Sequence, residues 1–164
     1  MGSEKAENPE RERALNARME RARQVREAFS VGTDLLDAVQ YDRVAEVQNL
    51  LQTRPVFGGK RRDIIVNVRD NEGLTPLHRA AALGSRTIVR LLVASGRCNY
   101  SIMDEKGRFA SDLALEWAND VALARWLRLL QHRYIDSMPV SDRAVVLAKV
   151  AASRPRKTKE PVPR

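Results

Sequence analysis

Between Asp70 and Gly96 the chain reads Asp-Asn-Glu-Gly-Leu-Thr-Pro-Leu-His-Arg-Ala-Ala-Ala-Leu-Gly-Ser-Arg-Thr-Ile-Val-Arg-Leu-Leu-Val-Ala-Ser-Gly, a string that dictates one turn, helix, turn, helix unit. Asp70 to Gly73 supplies turn chemistry, because an Asp side chain bonds the backbone two residues on and Gly takes positive φ without strain. A helix starts at Thr75, whose hydroxyl can cap free N–H groups, with Pro76 at the first helical position, where a missing N–H costs nothing. Leu77, Ala80 and Ala81 share one face, and Gly84 stops the helix. A second helix runs from about Ser85 to Ala94, with Ile88, Val89, Leu92 and Val93 at helical spacing and Gly96 at its end. Helices this short are not stable alone in water, so each must be covered by a neighbour.

The residues Thr75-Pro76-Leu77-His78, then Ala80-Ala81, Gly84, Ile88-Val89, Leu92-Val93 and Gly96, closely resemble the ankyrin repeat, whose period is about 33 residues. In such units small alanines let paired helices sit close, and each repeat buries its apolar face on the next. Downstream, Asp104 to Ala114 repeats the pattern, with Phe109-Ala110 standing where Thr75-Pro76 stand and Asp112 where His78 stands. Its second helix runs through Val121, Leu123, Trp126, Leu127 and Leu130. Upstream, Leu35 to Asp42 and then Val47, Leu50 and Leu51 resemble a first repeat without the Thr-Pro start. The resemblance implies an all-α, short ankyrin-repeat solenoid with β-turn fingers over residues 34–133, in repeats of about 34–66, 67–99 and 100–133. It gives His78 a structural part, bonding backbone groups that link adjacent turns.

The flanks are read from composition. Residues 1–33 form a charged helix from Pro9 to about Phe29, whose stripe of Leu15, Met19, Ala22, Val25 and Phe29 suits either a cap on the first repeat or a partner's groove. Gly32 is the expected breaker before the first repeat. Between the first two repeats, Arg54 to Ile65 reads as a projecting finger turned at Gly58-Gly59, with Lys60, Arg61 and Arg62 at its tip. After Pro139, a last helix over 134–153 reads as a C-terminal cap or a decayed fourth repeat, with Ala144, Leu147, Ala148 and Ala151 on one side. Residues 154–164 form a basic tail that cannot fold alone. That tail holds five basic residues against one acidic, half of the net charge of +8. An anionic partner such as nucleic acid would therefore meet Arg154, Arg156, Lys157 and Lys159, together with Lys60, Arg61 and Arg62.

Catalysis needs a nucleophile, base or metal in mutual reach, and the residue types for it are scarce. One cysteine, Cys98, excludes an internal disulfide, and with only His78 and His132 beside it no metal-ligand spacing exists. No cofactor motif is present, and Gly58-Gly59-Lys60 lacks the spacing of a phosphate loop. The lone cysteine suits a reducing compartment, and no stretch approaches the roughly 18 apolar residues of a membrane span, so a cytoplasmic protein is expected. Gly2 raises N-myristoylation, but Ala6 stands where the motif wants Ser or Thr.

The expectation is a non-catalytic scaffold or adaptor, monomeric alone or a subunit of a larger complex. The resemblance implies that a partner is held by the turn tips Asn71, Glu72, Glu105 and Lys106, by Leu74 and Arg108 just beyond them, and by the ends of the first helices. Aligned at Ala38, Ala80 and Ala114, those ends put Tyr41, Leu83 and Trp117 in one row along a concave face. Two other expectations stay open: a structural subunit of a large, RNA-containing assembly anchored by its basic termini, and a peripheral protein at a membrane surface.

Overall fold

The computed structural model describes residues 9–52 and 59–153. Among them are eight helices: α1 (Pro9–Gln40), α2 (Val44–Gln52), α3 (Gly59–Val66), α4 (Pro76–Leu83), α5 (Arg86–Ala94), α6 (Ala110–Glu116), α7 (Val121–Ser137) and α8 (Val140–Ser153). The end of α1 pairs with α2, α4 with α5 and α6 with α7, and the three pairs stack through α1 on α4, α4 on α6 and α2 on α5.

Local chemistry sets the central pair. Thr75 has extended backbone (φ −89°, ψ 167°) and caps α4, Pro76 opens the first turn, and Gly84 closes it in the left-handed region (φ 68°) with its N–H on the carbonyls of Ala80 and Ala81. The turns before α4 and α6 are copies of one another. Asp70 Oδ1 accepts from the Glu72 and Leu74 amides at 2.8 and 2.9 Å, and Asp104 Oδ1 accepts from those of Lys106 and Arg108 at 2.9 and 2.8 Å. The Glu105 amide then donates to the Glu72 carbonyl at 3.1 Å, and Arg69 Nη2 to the Met103 carbonyl at 2.8 Å, tying turn to turn.

The core follows the contact seams of the stack. Ala38, Ala80, Ala81 and Ala114 are fully buried where first helices approach each other, and Leu35, Val39, Val47, Ile88, Val89, Leu92, Leu123 and Leu127 fill the space behind them. Alanine is the side chain that lets two backbones come this close without a void. In the third unit Asp112 Oδ2 accepts from the Phe109 amide at 3.0 Å, as His78 Nδ1 accepts from the Thr75 amide at 3.3 Å, so carboxylate and imidazole cap alike.

Four sequence expectations change. Helix α1 does not break at Gly32. A Cβ there would lie 3.0 Å from Val68 Cβ and 3.2 Å from the Ile65 carbonyl, so the glycine serves a close approach inside a continuous helix. The stripe on α1 does not cap the first repeat: Leu15, Met19, Val25 and Phe29 are all exposed. No finger tip stands at Lys60, Arg61 and Arg62, because these residues form part of the first turns of α3, whose Ile65 and Val66 are buried as it packs on α1. The expected apolar side of α8 is not its docked side. Leu147 and Ala151 stay exposed while Arg143, Val146 and Val150 are half-buried. Arg143 Nη2 holds α8 to the end of α7 through the Asp136 carbonyl. Gly2, the stretch 53–58 and the basic tail with Arg154, Arg156, Lys157 and Lys159 lie outside the described residues.

Candidate interaction surface

Each first helix ends two or three residues beyond its contact alanine, and the chain then turns through one residue of positive φ: Asp42 (52°), Gly84 (68°) and Asn119 (51°). The Ala38 carbonyl accepts from the Arg43 amide at 2.8 Å, and the Ala80 carbonyl from the Ser85 amide at 3.1 Å. In the third unit the equivalent bond runs from the Asp120 amide to the Ala114 carbonyl at 2.9 Å, one residue longer. The three turns are also linked sideways. Ser85 Oγ donates to Asp42 Oδ1 at 2.6 Å, and Arg86 reaches Asp120 with two bonds of 2.7 and 2.8 Å. That guanidinium holds the Asp120 carboxyl down at about 2.

This register carries three large side chains to corresponding places. Tyr41 is 68% exposed, Leu83 49% and Trp117 56%. Two of them lie under guanidinium groups, Arg43 at 5.2 Å from the Tyr41 ring centre and Arg108 at 5.3 Å from that of Trp117. Arg108 is itself held by Asp104 Oδ2 at 2.9 Å and Glu116 Oε2 at 3.2 Å, so the cation over Trp117 is fixed from two sides. Next to it, Arg79 bonds Asp70 Oδ2 at 2.8 Å and also Gln40 on the first repeat. Burial works to raise the Asp70 pKa, but the amides of Leu74 and Glu72 and the Arg79 side chain outweigh it and hold the carboxyl below its usual value.

Of the other candidates at the turns, Asn71, Glu72, Glu105 and Lys106 are exposed. Leu74 is not available to a partner. It is 2% exposed and belongs to the core, whereas Arg108, which follows the turn glycine of the next repeat, keeps its guanidinium at Trp117 and Glu116. Lys60, Arg61 and Arg62 belong to α3, with their side chains outside the described residues. The guanidinium clamps went unread in the sequence, although the Asp104–Arg108 spacing of four was the available signal.

The buried reactive groups are placed for structure. His78 Nδ1 lies 2.8 Å from Thr75 Oγ1, so the imidazole caps its own helix, and the ring also faces the backbone of Arg108 in the next turn. Burial pushes its pKa down to about 4, against the charge of Asp104 and the backbone of Arg108. Cys98 donates its thiol to the Leu92 carbonyl at 3.2 Å, and burial pushes it up to about 12, well away from a reactive thiolate. Among the described residues no cluster of three His, Cys, Asp or Glu could hold a metal ion, and no helix is long and apolar enough to cross a membrane. A cleft of about 720 Å³ between α8 and residues 99–107 is lined by Arg69, Asp104, Glu105, Lys106 and Lys149, and its two serines, Ser101 and Ser153, donate to Asn99 Oδ1 and to the Lys149 carbonyl.

Three stacked helix pairs, two copied Asp-capped turns and contact alanines in register are what the turn-to-turn spacing of the sequence required. A family model described as ankyrin repeats (3 copies) matches residues 35–136, and the chain belongs to the ankyrin-repeat family.

Proposed function

We propose that the chain is a non-catalytic scaffold or adaptor that holds a partner protein against the row Tyr41, Leu83 and Trp117, between the turn tips Asn71, Glu72, Glu105 and Lys106. Ankyrin repeats are generally protein–protein interaction modules. The observation that carries the reading is the row itself. Three large side chains stay exposed at positions the stack does not need filled, and Trp and Tyr are types enriched in binding hot spots. An arginine stands over each of the Tyr41 and Trp117 rings, a contact that favours one ring orientation before binding and so lowers the side-chain entropy lost on association.

The test begins with partner capture from the protein's own cells, followed by titration of the purified pair. Trp117→Ala should leave the helical circular dichroism unchanged and weaken binding by about 2 kcal/mol or more, roughly thirtyfold in Kd. A folded protein with Tyr41, Leu83 and Trp117 all changed to alanine that binds as tightly as the parent would remove this reading.

A further inference from the structure

A second surface lies at the other end of the chain. From Pro9 to Arg23 every residue of α1 is exposed, yet the helix continues without a break into the buried turns at Leu35, Leu36, Ala38 and Val39. The exposed part is thus an arm whose direction is set by the first repeat. Positions 15, 19, 22, 26 and 29 follow the four-three-four-three spacing of a coiled-coil seam and hold Leu, Met, Ala, Arg and Phe. At about 1.5 Å per residue the seam is about 21 Å long.

The charged residues that flank the seam are all of one sign. Arg11, Arg18 and Arg23 stand at the positions flanking the seam, Glu12 and Arg26 fall in its register, and the outer face is mixed, with Glu10, Arg13, Glu20, Arg21 and Glu27. Arg11, Arg18 and Arg26 have no ion-pair or hydrogen-bond partner among the described residues, and Arg23 pairs with Glu27 at 3.0 Å in an exposed contact of little strength. An apolar seam with only positive flanks specifies its complement.

We propose that the arm docks an acidic amphipathic helix of a partner protein, with apolar residues on the Leu15–Phe29 seam and carboxylates facing Arg11, Arg18 and Arg26. A second copy of the chain does not fit. Parallel pairing would set Arg18 against Arg23 of the other copy and Arg26 against itself, and antiparallel pairing would set Arg18 beside Val25 and Arg23 beside Asn16, giving neither arginine a carboxylate. A bilayer surface fits less well, because Arg26 interrupts the apolar face that would have to sink below the headgroups.

The experiment uses the full chain and two synthetic helices of three heptads, both with leucine at the seam positions, one with glutamate and the other with lysine at the flanks. Binding is followed by calorimetry, with phosphatidylserine vesicles and sedimentation velocity of the chain alone as further arms. The glutamate helix should bind at least about tenfold more tightly than the lysine helix, and less tightly as salt is raised. Met19→Asp should weaken that binding by about tenfold or more, since it puts a charge into the seam. The triple variant Arg11→Glu, Arg18→Glu, Arg26→Glu should reverse the preference toward the lysine helix, an outcome that also shows the arm still folded. No binding, equal binding of the two helices, tighter binding to vesicles, or dimers of the chain alone would each overturn the proposal. None of these outcomes bears on Trp117, so the two surfaces are tested apart.

Discussion

His78 shows how one side chain sets a pH window. Its neutral ring is buried 2% exposed beneath Thr75, and its pKa falls from the ordinary 6.5 to about 4. The unfolded chain therefore takes up the proton first as pH drops, so stability is full above about pH 6.5 and is lost progressively down to about 4, by about 3 kcal/mol at most. The low-lying carboxyls of Asp70 and Asp120 act later, as pH falls below the ordinary carboxylate value. Urea unfolding at pH 7 and at pH 4.5 should show this fall for the parent. In His78→Asn the amide oxygen can take the place that Asp112 Oδ2 holds in the third repeat, and the fall should be much smaller. An equal fall in both proteins would assign the pH dependence to other groups.

Elements were legible where local chemistry decides them and illegible where a distant residue does. Thr75, Pro76 and Gly84 mark α4 by hydroxyl, ring and positive φ, each acting within one turn, and the sequence reading placed that helix to the residue. Gly32 carries the same letter as Gly84 but another meaning, because Val68 and the Ile65 carbonyl, which no local rule can supply, press against it. In the same way Gly58-Gly59 suggested a turn, while burial of Ile65 and Val66 on α1 makes a helix from Gly59. At the exposed row proposed for binding, the count of three from each contact alanine locates Tyr41, Leu83 and Trp117 in sequence, but Leu74, set beside them on resemblance, is core. These packing claims are testable at the element scale. Ala81 is fully buried against the neighbouring helices, and Ala81→Leu should overpack the stack by roughly 1 to 3 kcal/mol. Gly32→Leu should also destabilise, since the gain in helix propensity of up to about 1 kcal/mol is set against a displaced Val68. Thermal melts of both variants check this, and a Gly32→Leu protein more stable than its parent would mean that α3 yields easily.

At the scale of the whole molecule, the stack and the arm divide the chain into a part that carries stability and a part that does not. Among the described residues, burial begins at Ala28 and extends through α7 to Ile135, while α8 buries none and α1 before Ala28 buries none. A helix that covered the first repeat would have lost its apolar stripe from solvent, whereas Met19 is 63% exposed. Removing residues 1–24 should therefore cost little beyond fraying of a new helix end, because Ala28, Gly32, Leu35 and the contacts to α3 and α4 all remain. Surface changes away from buried features lie within about 0.5 kcal/mol, which corresponds to a Tm within about 2 °C of the parent. The truncated chain should also keep its affinity for a partner bound at Trp117 and lose the acidic helix. Differential scanning calorimetry of the truncated and full chains decides the matter. A drop of more than about 5 °C, of the order expected for losing 1 kcal/mol or so of packing in a domain of this size, would make the arm a structural cap and take from it the freedom to dock anything else.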